Sequence, residues 1–363
     1  MFYLNNAGTS WPKPEPVKAA IAEAMLASPK NWEASFEKSH QSLASYFGVD
    51  HSRLLMTPGC TQALSLAAQY FMWQPGDVIL TSSFEHQALI GPLALLHSQG
   101  VNIKHIPPGK DTPFCLEALE RELGKNNVRM LAMTAACNVT GEQLPYRDAI
   151  KIAQKHSAIT LLDLAQLAGW QRLNLTDIGA DICAIACHKG MSAPWGMGLL
   201  YVAKGVPMTS DQASCSIDNK GSCSPMPTYC NSGSVDRLAL AGLTAAVGWL
   251  ETQETAKART RVYRIWQESL ACLIDNERIT ILRPHTDDPT IPTIAFRPIQ
   301  KPLQDVYKQL KKYGIVASVG HQCAPLAHRT LNTQELGGIR LSFGHMSDSL
   351  DLGEVLSLLE KIG

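Results

Sequence analysis

The sequence lacks net charge, long apolar runs and the cysteine pattern of a metal-binding module. Its 363 residues include 32 Lys and Arg and 32 Asp and Glu, so the formal net charge is zero. A balanced charge provides no electrostatic footprint for nucleic acid or an anionic membrane. No run reaches the roughly 18 apolar residues that a membrane-spanning helix needs. We therefore expect no nucleic-acid partner, no membrane association and a small-molecule substrate.

The cysteines and the first residues give no sign of a secreted or metal-binding protein. Met1–Ser10 is polar and has no basic stretch followed by an apolar one, so no signal peptide is predicted. The ten cysteines include no CxxC pair, and Cys183 and Cys187 have no second pair at zinc-site spacing. Without a secretory context, a disulfide framework is not expected. We predict a cytoplasmic protein without a metal, in which most thiols are reduced and buried.

Short apolar segments alternate with helical ones through the first two-thirds of the chain. With 45% hydrophobic and 18% charged residues, the sequence has ample material for a core. Strand candidates such as Val128–Thr134 and Ile182–Ala186 are separated by helical patterns such as Leu116–Leu123. This alternation predicts βαβ units and a mostly parallel sheet. A long helical region, Leu238–Asp275, is followed by an α+β pattern, which predicts a smaller second domain beginning between residues 245 and 260.

Polar residues suited to chemistry follow four of the predicted strands. Open parallel sheets bind ligands at the carboxyl ends of their strands, so these positions are candidates for a site. One segment is a turn before a helix, which suits a phosphate. In two others a carboxylate or a lysine ends an apolar strand, and in the fourth a histidine opens a helix. Each alone is also typical of ordinary structure: an N-capped turn, a strand-end Asp, a loop lysine and a structural histidine. The segments are Pro58–Gln62, Asp163–Gln166, Ala186–Gly190 and Glu85-His86.

The combination of the four segments resembles one known family. It is similar to the fold-type I enzymes that use pyridoxal 5′-phosphate, specifically the class V aminotransferase and cysteine desulfurase family. The resemblance implies an α/β fold, with a mostly parallel sheet in a large domain at 17–250 and a smaller α+β domain formed by 1–16 and 251–363. It is strongest to the group II desulfurases, the branch that includes selenocysteine lyases. The matching strings are YLNNAGTSWPKPEPV, TPGCTQALSLAA, FEHQALIGPL, CNVTGEQLP, LLDLAQLAG, CHKGMSAPWGMGLLYV, GHQCAPLAHRTL and GGIRLSFG.

The resemblance implies a role for each residue around the cofactor ring. Lys189 is expected to bind pyridoxal 5′-phosphate as a Schiff base and to move the substrate Cα proton. Asp163 is expected to pair with the pyridine nitrogen, which keeps the ring an electron sink. Gln166 is expected to hydrogen-bond the phenolic oxygen. His86 is expected to stack on the ring and to act in acid–base steps.

The resemblance also implies residues for the phosphate and the substrate. Thr61, the amide of Cys60 and His188 are expected to hold the phosphate, and Ser234 to reach the phosphate of a partner subunit in a homodimer. Ser234 ends a stretch rich in Ser, Cys, Asn and Gly, from Ser210, that is predicted to be a long loop. The substrate is expected to contact two further residues, Asn138 at its side and Arg340 at its carboxylate through a bidentate fork.

The reaction class depends on Cys323. It lies in a Gly- and Pro-bracketed segment, GHQCAPLAH, between strand candidates. As a thiolate it could take the sulfur of a cysteine substrate, with alanine released and a persulfide left on Cys323. His321 and His328 are near in sequence and could lower its pKa. The alternative is a small loop cysteine without a role.

Five positions depart from the family pattern. Asn5 stands where the family usually has an acidic residue, and Ala186 replaces a phosphate-binding hydroxyl. Ser318 replaces an arginine that the family often has five residues before the cysteine. Ser347 and Asp348 replace an Asn-Thr pair. Most of these substitutions belong to the substrate side, so they bear on the substrate rather than on the fold.

The leading hypothesis is a homodimeric pyridoxal-phosphate enzyme that desulfurates L-cysteine and passes the sulfur to an acceptor protein. A related alternative is a C–S lyase or a selenocysteine lyase, for which pyruvate or released selenium would replace the persulfide. A hypothesis of a different class is a non-catalytic sensor or scaffold with the same fold. Retention of Lys189, Asp163, His86 and Arg340 argues against it, since a scaffold needs none of them.

Overall fold

The computed structural model describes residues 1–125, 127–208, 235–282 and 290–362. The whole predicted loop Ser210–Ser234 lies outside the described residues. Within the described ranges, no helix combines the length and the hydropathy needed to cross a bilayer.

A seven-stranded sheet forms the centre of the molecule. Its strand order is β2-β8-β7-β6-β5-β3-β4. All neighbours from β7 to β4 pair in parallel, and β8 alone runs against both of its neighbours, so the expected mostly parallel sheet is confirmed. The strands are β1 Phe2–Tyr3, β2 Leu54–Thr57, β3 Val78–Ser82, β4 Asn102–Ile106, β5 Val128–Thr134, β6 Ile159–Asp163, β7 Ile182–Ala186, β8 Gly198–Val202, β9 Ile279–Ile281, β10 Thr293–Pro298, β11 Ile315–Val316, β12 Ser318–Gly320 and β13 Gly338–Ser342.

Helices with one apolar face pack against this sheet. In the helix Tyr146–Lys155, the buried residues Tyr146, Ala149, Ile150 and Ala153 recur at the spacing of one helical face. The helices are α1 Glu15–Leu26, α2 Trp32–Phe47, α3 Cys60–Gln69, α4 Gln87–Ser98, α5 Leu116–Leu123, α6 Tyr146–Lys155, α7 Leu175–Ile178, α8 Arg237–Leu250, α9 Gln253–Ile274, α10 Leu303–Lys312, α11 Pro325–Thr330 and α12 Leu352–Leu359, with 3₁₀ turns at Pro29–Asn31, His51–Arg53 and His345–Ser349.

The first residues of the chain join the last third. A four-stranded antiparallel sheet has the order β12-β13-β10-β9. Strand β1 pairs in parallel with β11, and Asn5 forms an isolated bridge with Ser342 at the end of β13. The N-terminal residues therefore pack against the strands of the C-terminal third, beside the cavity described below. The division into 17–250 and a domain of 1–16 plus 251–363 stays a prediction.

The structure differs from the predicted elements in two places. The long helical region Leu238–Asp275 is two helices, because Thr252 ends the first run and caps α9 by accepting a hydrogen bond from the Thr255 amide at 3.2 Å. Helices α1 and α2 have no counterpart among the predicted elements. In α1 only Val17 is buried, so its sequence carries little helical periodicity.

The backbone after β6 passes so close to the backbone after β7 that only glycine fits at residue 169. Gly169 has φ +89°, and a Cβ there would lie 2.2 Å from the carbonyl carbon of Gly190. We expect Gly169→Ala to lower the free energy of unfolding by on the order of 3 kcal/mol, since it combines strain with overpacking. Gly248→Ala is the matched control, because a Cβ on this helical glycine meets open space. Gly248→Ala should raise the free energy of unfolding by about 1 kcal/mol. Denaturant unfolding measures both variants, and a change of the opposite sign in either one would contradict the prediction.

Candidate active site

A cavity of about 420 Å³ opens at the carboxyl ends of the central strands. Strands β2, β7, β6, β5 and β3 all run in the same direction, so the residues that follow them meet at one edge of the sheet. The cavity brings together eight of the residues expected from the sequence, and they are Cys60, Thr61, His86, Asn138, Asp163, Gln166, His188 and Lys189.

Asp163 and Lys189 both line the cavity, and each affects the pKa of the other. Asp163 is 3% exposed, and its Oδ1 accepts hydrogen bonds from the Ala165 amide at 2.8 Å and from Cys60 Sγ at 3.5 Å. Burial raises the pKa of Asp163, whereas the Ala165 amide and the Lys189 charge oppose that rise. Burial also lowers the pKa of Lys189, and Asp163 opposes that shift. A lysine held in this way loses its proton more readily and becomes a nucleophilic amine.

One corner of the cavity is suited to a phosphate. The first amides of α3 have no partner within the helix and point into this corner. The turn before α3 lies against β8 so closely that a Cβ on Gly198 would be 2.6 Å from the Cys60 nitrogen. His188 Nδ1 is buried without a hydrogen-bond partner among the described residues. Ala186 also lines the cavity and offers no hydroxyl, so the His188 ring is left to complete this corner.

The rings and amides around the cavity are held in defined orientations. His86 is the N-cap of α4, and its Nδ1 accepts a hydrogen bond from the Ala88 amide at 3.0 Å, which leaves the proton on Nε2. Burial, Lys189 and Arg340 lower the pKa of His86 to about 4, so the ring is neutral at neutral pH. Gln166 Nε2 donates to the Ala7 carbonyl at 3.1 Å and retains a second N–H for a ligand.

Arg340 carries a buried positive charge beside the cavity. It is 4% exposed, its Nη1 donates to the Asn138 carbonyl at 2.7 Å, and its Nη2 donates to Asn5 Oδ1 at 3.1 Å. Its Nε has no partner, and no ion pair to Arg340 occurs within the described ranges. Burial lowers the pKa of Arg340 to about 10, so the guanidinium stays charged. A buried cation whose partners are neutral groups requires an anion such as a substrate carboxylate.

Cys323 does not line the cavity, but its loop is hydrogen-bonded to segments that do. It is exposed, and its carbonyl accepts a hydrogen bond from the Gln87 amide, the residue after His86, at 2.8 Å. Asn138 Nδ2 donates to the Gln322 carbonyl at 2.7 Å. Burial lowers the pKa of Lys189, and a Cys323 thiolate is near enough to oppose that shift. Cys323 thus joins the residues that the sheet assembles.

The expectation that His328 supplies a positive charge to Cys323 is wrong. Burial and neighbouring charges, His321 first among them, lower the pKa of His328 to about 4, so its ring is neutral at neutral pH. His328 Nδ1 and Nε2 face Thr333 Oγ1 and Gln322 Oε1 rather than the thiol. His321 Nε2 lies 2.7 Å from the Gln334 carbonyl.

Three of the substituted positions have structural roles. Ser318 lies on β12 directly opposite Arg340 on β13. Ser347 Oγ accepts a hydrogen bond from the Gly344 amide, and Asp348 pairs with Arg261 at 2.5 Å.

Asn5 accepts a hydrogen bond from Arg340, and the Gln322 carbonyl accepts one from Asn138. From the sequence, neither Asn5 nor Gln322 was given a role in the site. For Gln322 the only signal was its place next to Cys323, and for Asn5 its departure from the family pattern.

Comparison with known proteins gives one consistent result. The sequence profile of the family described as aminotransferase class-V matches residues 2–355. A probable cysteine desulfurase of Vibrio cholerae is 25% identical over 90% of this chain and 82% of its own length. One of Pseudomonas aeruginosa is 26% identical over 99% of this chain and 93% of its own. The apo structure of a cysteine desulfurase from Thermococcus onnurineus superposes with a TM-score of 0.89 at 23% identity, covering 99% of this chain and 94% of the other, which confirms the expected fold.

Glu85, next to His86, generates a prediction about pH. The carboxyl group is fully buried, and its Oε1 accepts from Ser82 Oγ and the Thr134 amide. Its Oε2 has no hydrogen-bond partner in the part of the chain that the structure describes. Burial raises its pKa from 4.5 to about 8. Between these values the folded protein keeps a proton that the unfolded chain loses, so stability falls as pH rises.

We expect Glu85→Gln, which is neutral and of the same shape, to remove this loss. Urea unfolding at pH 5 and pH 8 measures it: the wild type should lose more stability over that interval than the variant. Equal losses in the two proteins would show that Glu85 ionises in the fold as it does in water.

Proposed function

The chain belongs to the class-V aminotransferase family, and we propose that it is a cysteine desulfurase that converts L-cysteine to L-alanine and leaves the sulfur on Cys323 as a persulfide. The family is pyridoxal-phosphate dependent, so the chain is a pyridoxal-phosphate enzyme. The observation that carries the proposal is the exposed Cys323 thiol, which lies near enough to Lys189, a residue of the cavity that also contains Asp163, to affect its pKa. An aminotransferase would have no use for that thiol.

The described residues fit pyridoxal 5′-phosphate. The unpartnered amides of α3, beginning at Cys60 and Thr61, and the unpartnered His188 Nδ1 would hold the phosphate. Asp163 would face the pyridine nitrogen and Gln166 the phenolic oxygen. When bound, the cofactor supplies an electron-poor ring that withdraws electron density from the substrate Cα.

The roles of the chain's own side chains follow from their protonation and position. Lys189 Nζ would hold the cofactor and then take and return the Cα proton, a task suited to an amine whose pKa is lowered by burial. His86 would lie over the ring as a neutral imidazole with its proton on Nε2, from which it can donate. The walls of the cavity would exclude water around both groups.

Arg340 and Asn138 would orient the amino acid. The guanidinium has no anionic partner among the described residues, and a substrate carboxylate would satisfy its charge. Asn138 Oδ1 is buried and has no hydrogen-bond partner among the residues that the structure describes, so it would accept from a substrate N–H, whereas its Nδ2 holds the Cys323 loop. Substrate and thiol would therefore meet at Asn138.

The proposed transfer needs no outside oxidant. The Cβ–S bond of L-cysteine breaks, an S–S bond forms with Cys323 Sγ, and Cβ gains the proton that makes the methyl group of alanine. The sulfur is oxidised to the persulfide level as the carbon is reduced, so electrons balance within the two reactants. A second thiol, on an acceptor protein or a reductant, would then remove the sulfur from the exposed Cys323.

Three further points belong to the same proposal. A homodimer is proposed because the resemblance assigns Ser234, outside the described residues, to the phosphate of a partner subunit. A sulfur-accepting protein is proposed because Cys323 is exposed. The cytoplasmic location stays a prediction from the sequence.

The test is to incubate the pyridoxal-phosphate-loaded protein with L-cysteine and a thiol reductant, and to quantify alanine, sulfide and pyruvate. Alanine and sulfide in equal amounts are expected. Cys323→Ser should lower alanine formation by at least about 100-fold, since the hydroxyl cannot accept the sulfur. Cys272→Ser, which alters a half-buried thiol of α9, is the matched control and should keep wild-type activity.

Each other product pattern identifies an alternative. Pyruvate in place of alanine would make the protein a C–S lyase, and turnover of selenocysteine alone would make it a selenocysteine lyase. No turnover of either amino acid by the loaded protein would favour the non-catalytic sensor or scaffold. Full activity in Cys323→Ser would remove this thiol from the reaction.

Asn5 contacts Arg340 without neutralising its positive charge, so that charge stays available to a substrate carboxylate. Asn5→Asp would place a carboxylate 3.1 Å from Nη2, at the position of the present amide oxygen. We expect a higher melting temperature, since a buried charge gains a partner, together with a KM for cysteine raised by about tenfold. The exposed Asn102→Asp is the control for added charge. A change of stability and KM in the same favourable direction would contradict this account of Arg340.

A further inference from the structure

Two consecutive residues of the Cys323 loop have left-handed backbone conformations. The φ angles are 45° at Gln322 and 58° at Cys323, and neither residue is glycine. Each such residue costs about 1–2 kcal/mol and persists only where its surroundings hold it. Contacts outside the loop must therefore fix this conformation.

Two hydrogen bonds from distant segments of the chain hold the loop backbone. The Gln322 carbonyl accepts from Asn138 Nδ2 at 2.7 Å, and the Cys323 carbonyl accepts from the Gln87 amide at 2.8 Å. Both bonds depend on the two carbonyls pointing in the directions that the left-handed conformation sets.

The Gln322 side chain is held by a third set of contacts, away from the cavity. Its Nε2 donates to the Gly338 carbonyl at 2.9 Å, which fixes which end of the amide is nitrogen, because a carbonyl only accepts. Its Oε1 lies 2.9 Å from His328 Nε2. His328 Nδ1 lies 2.7 Å from Thr333 Oγ1. His328 is 0% and Thr333 is 3% exposed, so water does not compete for these bonds.

The chain of bonds has a single direction. A neutral imidazole carries one N–H, and since Gln322 Oε1 can only accept, that hydrogen is on His328 Nε2. Nδ1 must then accept. The Thr333 hydroxyl also lies 3.3 Å from the His328 carbonyl, but Nδ1 at 2.7 Å is the nearer acceptor and takes its one hydrogen. Thr333 thus orients His328, His328 orients Gln322, and Gln322 is the residue before the thiol. In many enzymes one side chain orients a catalytic base through a hydrogen bond. Here the same kind of hydrogen-bond chain orients a residue of the Cys323 loop.

We infer that Thr333 and His328 are positioning residues for the Cys323 thiol, and that they act through the side chain of Gln322. Neither is assigned to the cofactor or the substrate, and Thr333 is ten residues from Cys323 in sequence. They keep the loop that carries the thiol in one conformation instead of an ensemble of conformations. The consequence for turnover rests on the proposed function, whereas the consequence for loop rigidity does not.

Hydrogen–deuterium exchange tests the inference without reference to activity. Thr333→Val removes the hydroxyl and keeps the shape, and Gln322→Leu removes the last bonds of the chain directly. In both variants we expect the Gln87 amide, the donor to Cys323, to exchange at least about tenfold faster, a change of about 1.4 kcal/mol. Thr333→Ser restores the hydroxyl and should exchange as the wild type does. Thr330→Val is the matched control, because the Thr330 hydroxyl donates only within α11, to the Leu326 carbonyl.

Turnover gives the second readout. Alanine formation should show a kcat lowered by about tenfold in Thr333→Val and Gln322→Leu with KM little changed, and Thr333→Ser should recover it. Unchanged exchange at Gln87 in both variants, or a Thr333→Ser variant that behaves like Thr333→Val, would overturn the inference. Wild-type protein that forms no alanine would instead contradict the proposed function, and the exchange result would still decide the role of Thr333.

Discussion

Burial of ionisable groups at one edge of the sheet is the constraint on which the site depends. Asp163 and Lys189 follow two neighbouring apolar strands, so both are withdrawn from water. Burial disfavours both charges, and each is tolerated because the other lies near it and because the Ala165 amide donates to the carboxylate. The same constraint makes the pair useful, since the amine gives up its proton readily and the carboxylate needs a cationic partner.

The sequence indicates this part of the site because it is a property of strand ends. A parallel strand buried on both faces is a run of apolar residues, so a polar residue that ends it is conspicuous, as Asp163 is after β6 and His188 and Lys189 are after β7. Parallel strands also bring such residues to one edge whatever their separation in the chain. The central sheet and the meeting of these residues at one edge were therefore predictable from local pattern, whereas their roles toward a cofactor came from the family resemblance.

The rest could not be predicted, because it depends on contacts between distant segments. Asn138 and Gln322 are bonded across 184 residues, and Asn5 and Arg340 across 335. The hydrophobic periodicity of a sequence does not indicate which distant residues form hydrogen bonds with each other. The left-handed backbone at Gln322 and Cys323 has no sequence signal either, since neither of these two residues is glycine. His328 illustrates the cost of arguing from proximity in sequence: it is five residues from the thiol, yet its ring is neutral and faces away from it.

Asn138 joins the two halves of the site. Its backbone carbonyl holds the Arg340 guanidinium, and its side chain holds the loop that carries Cys323. A displacement of Asn138 would therefore move together Arg340, the proposed carboxylate-binding group, and the Cys323 loop, which carries the proposed sulfur acceptor. Because Arg340 also depends on Asn5, and the loop on Gln322, a change of substrate cannot be made at one of these residues without altering the approach of the thiol. Under the proposed function, substrate specificity and the position of the thiol would thus be coupled through side chains outside the central sheet.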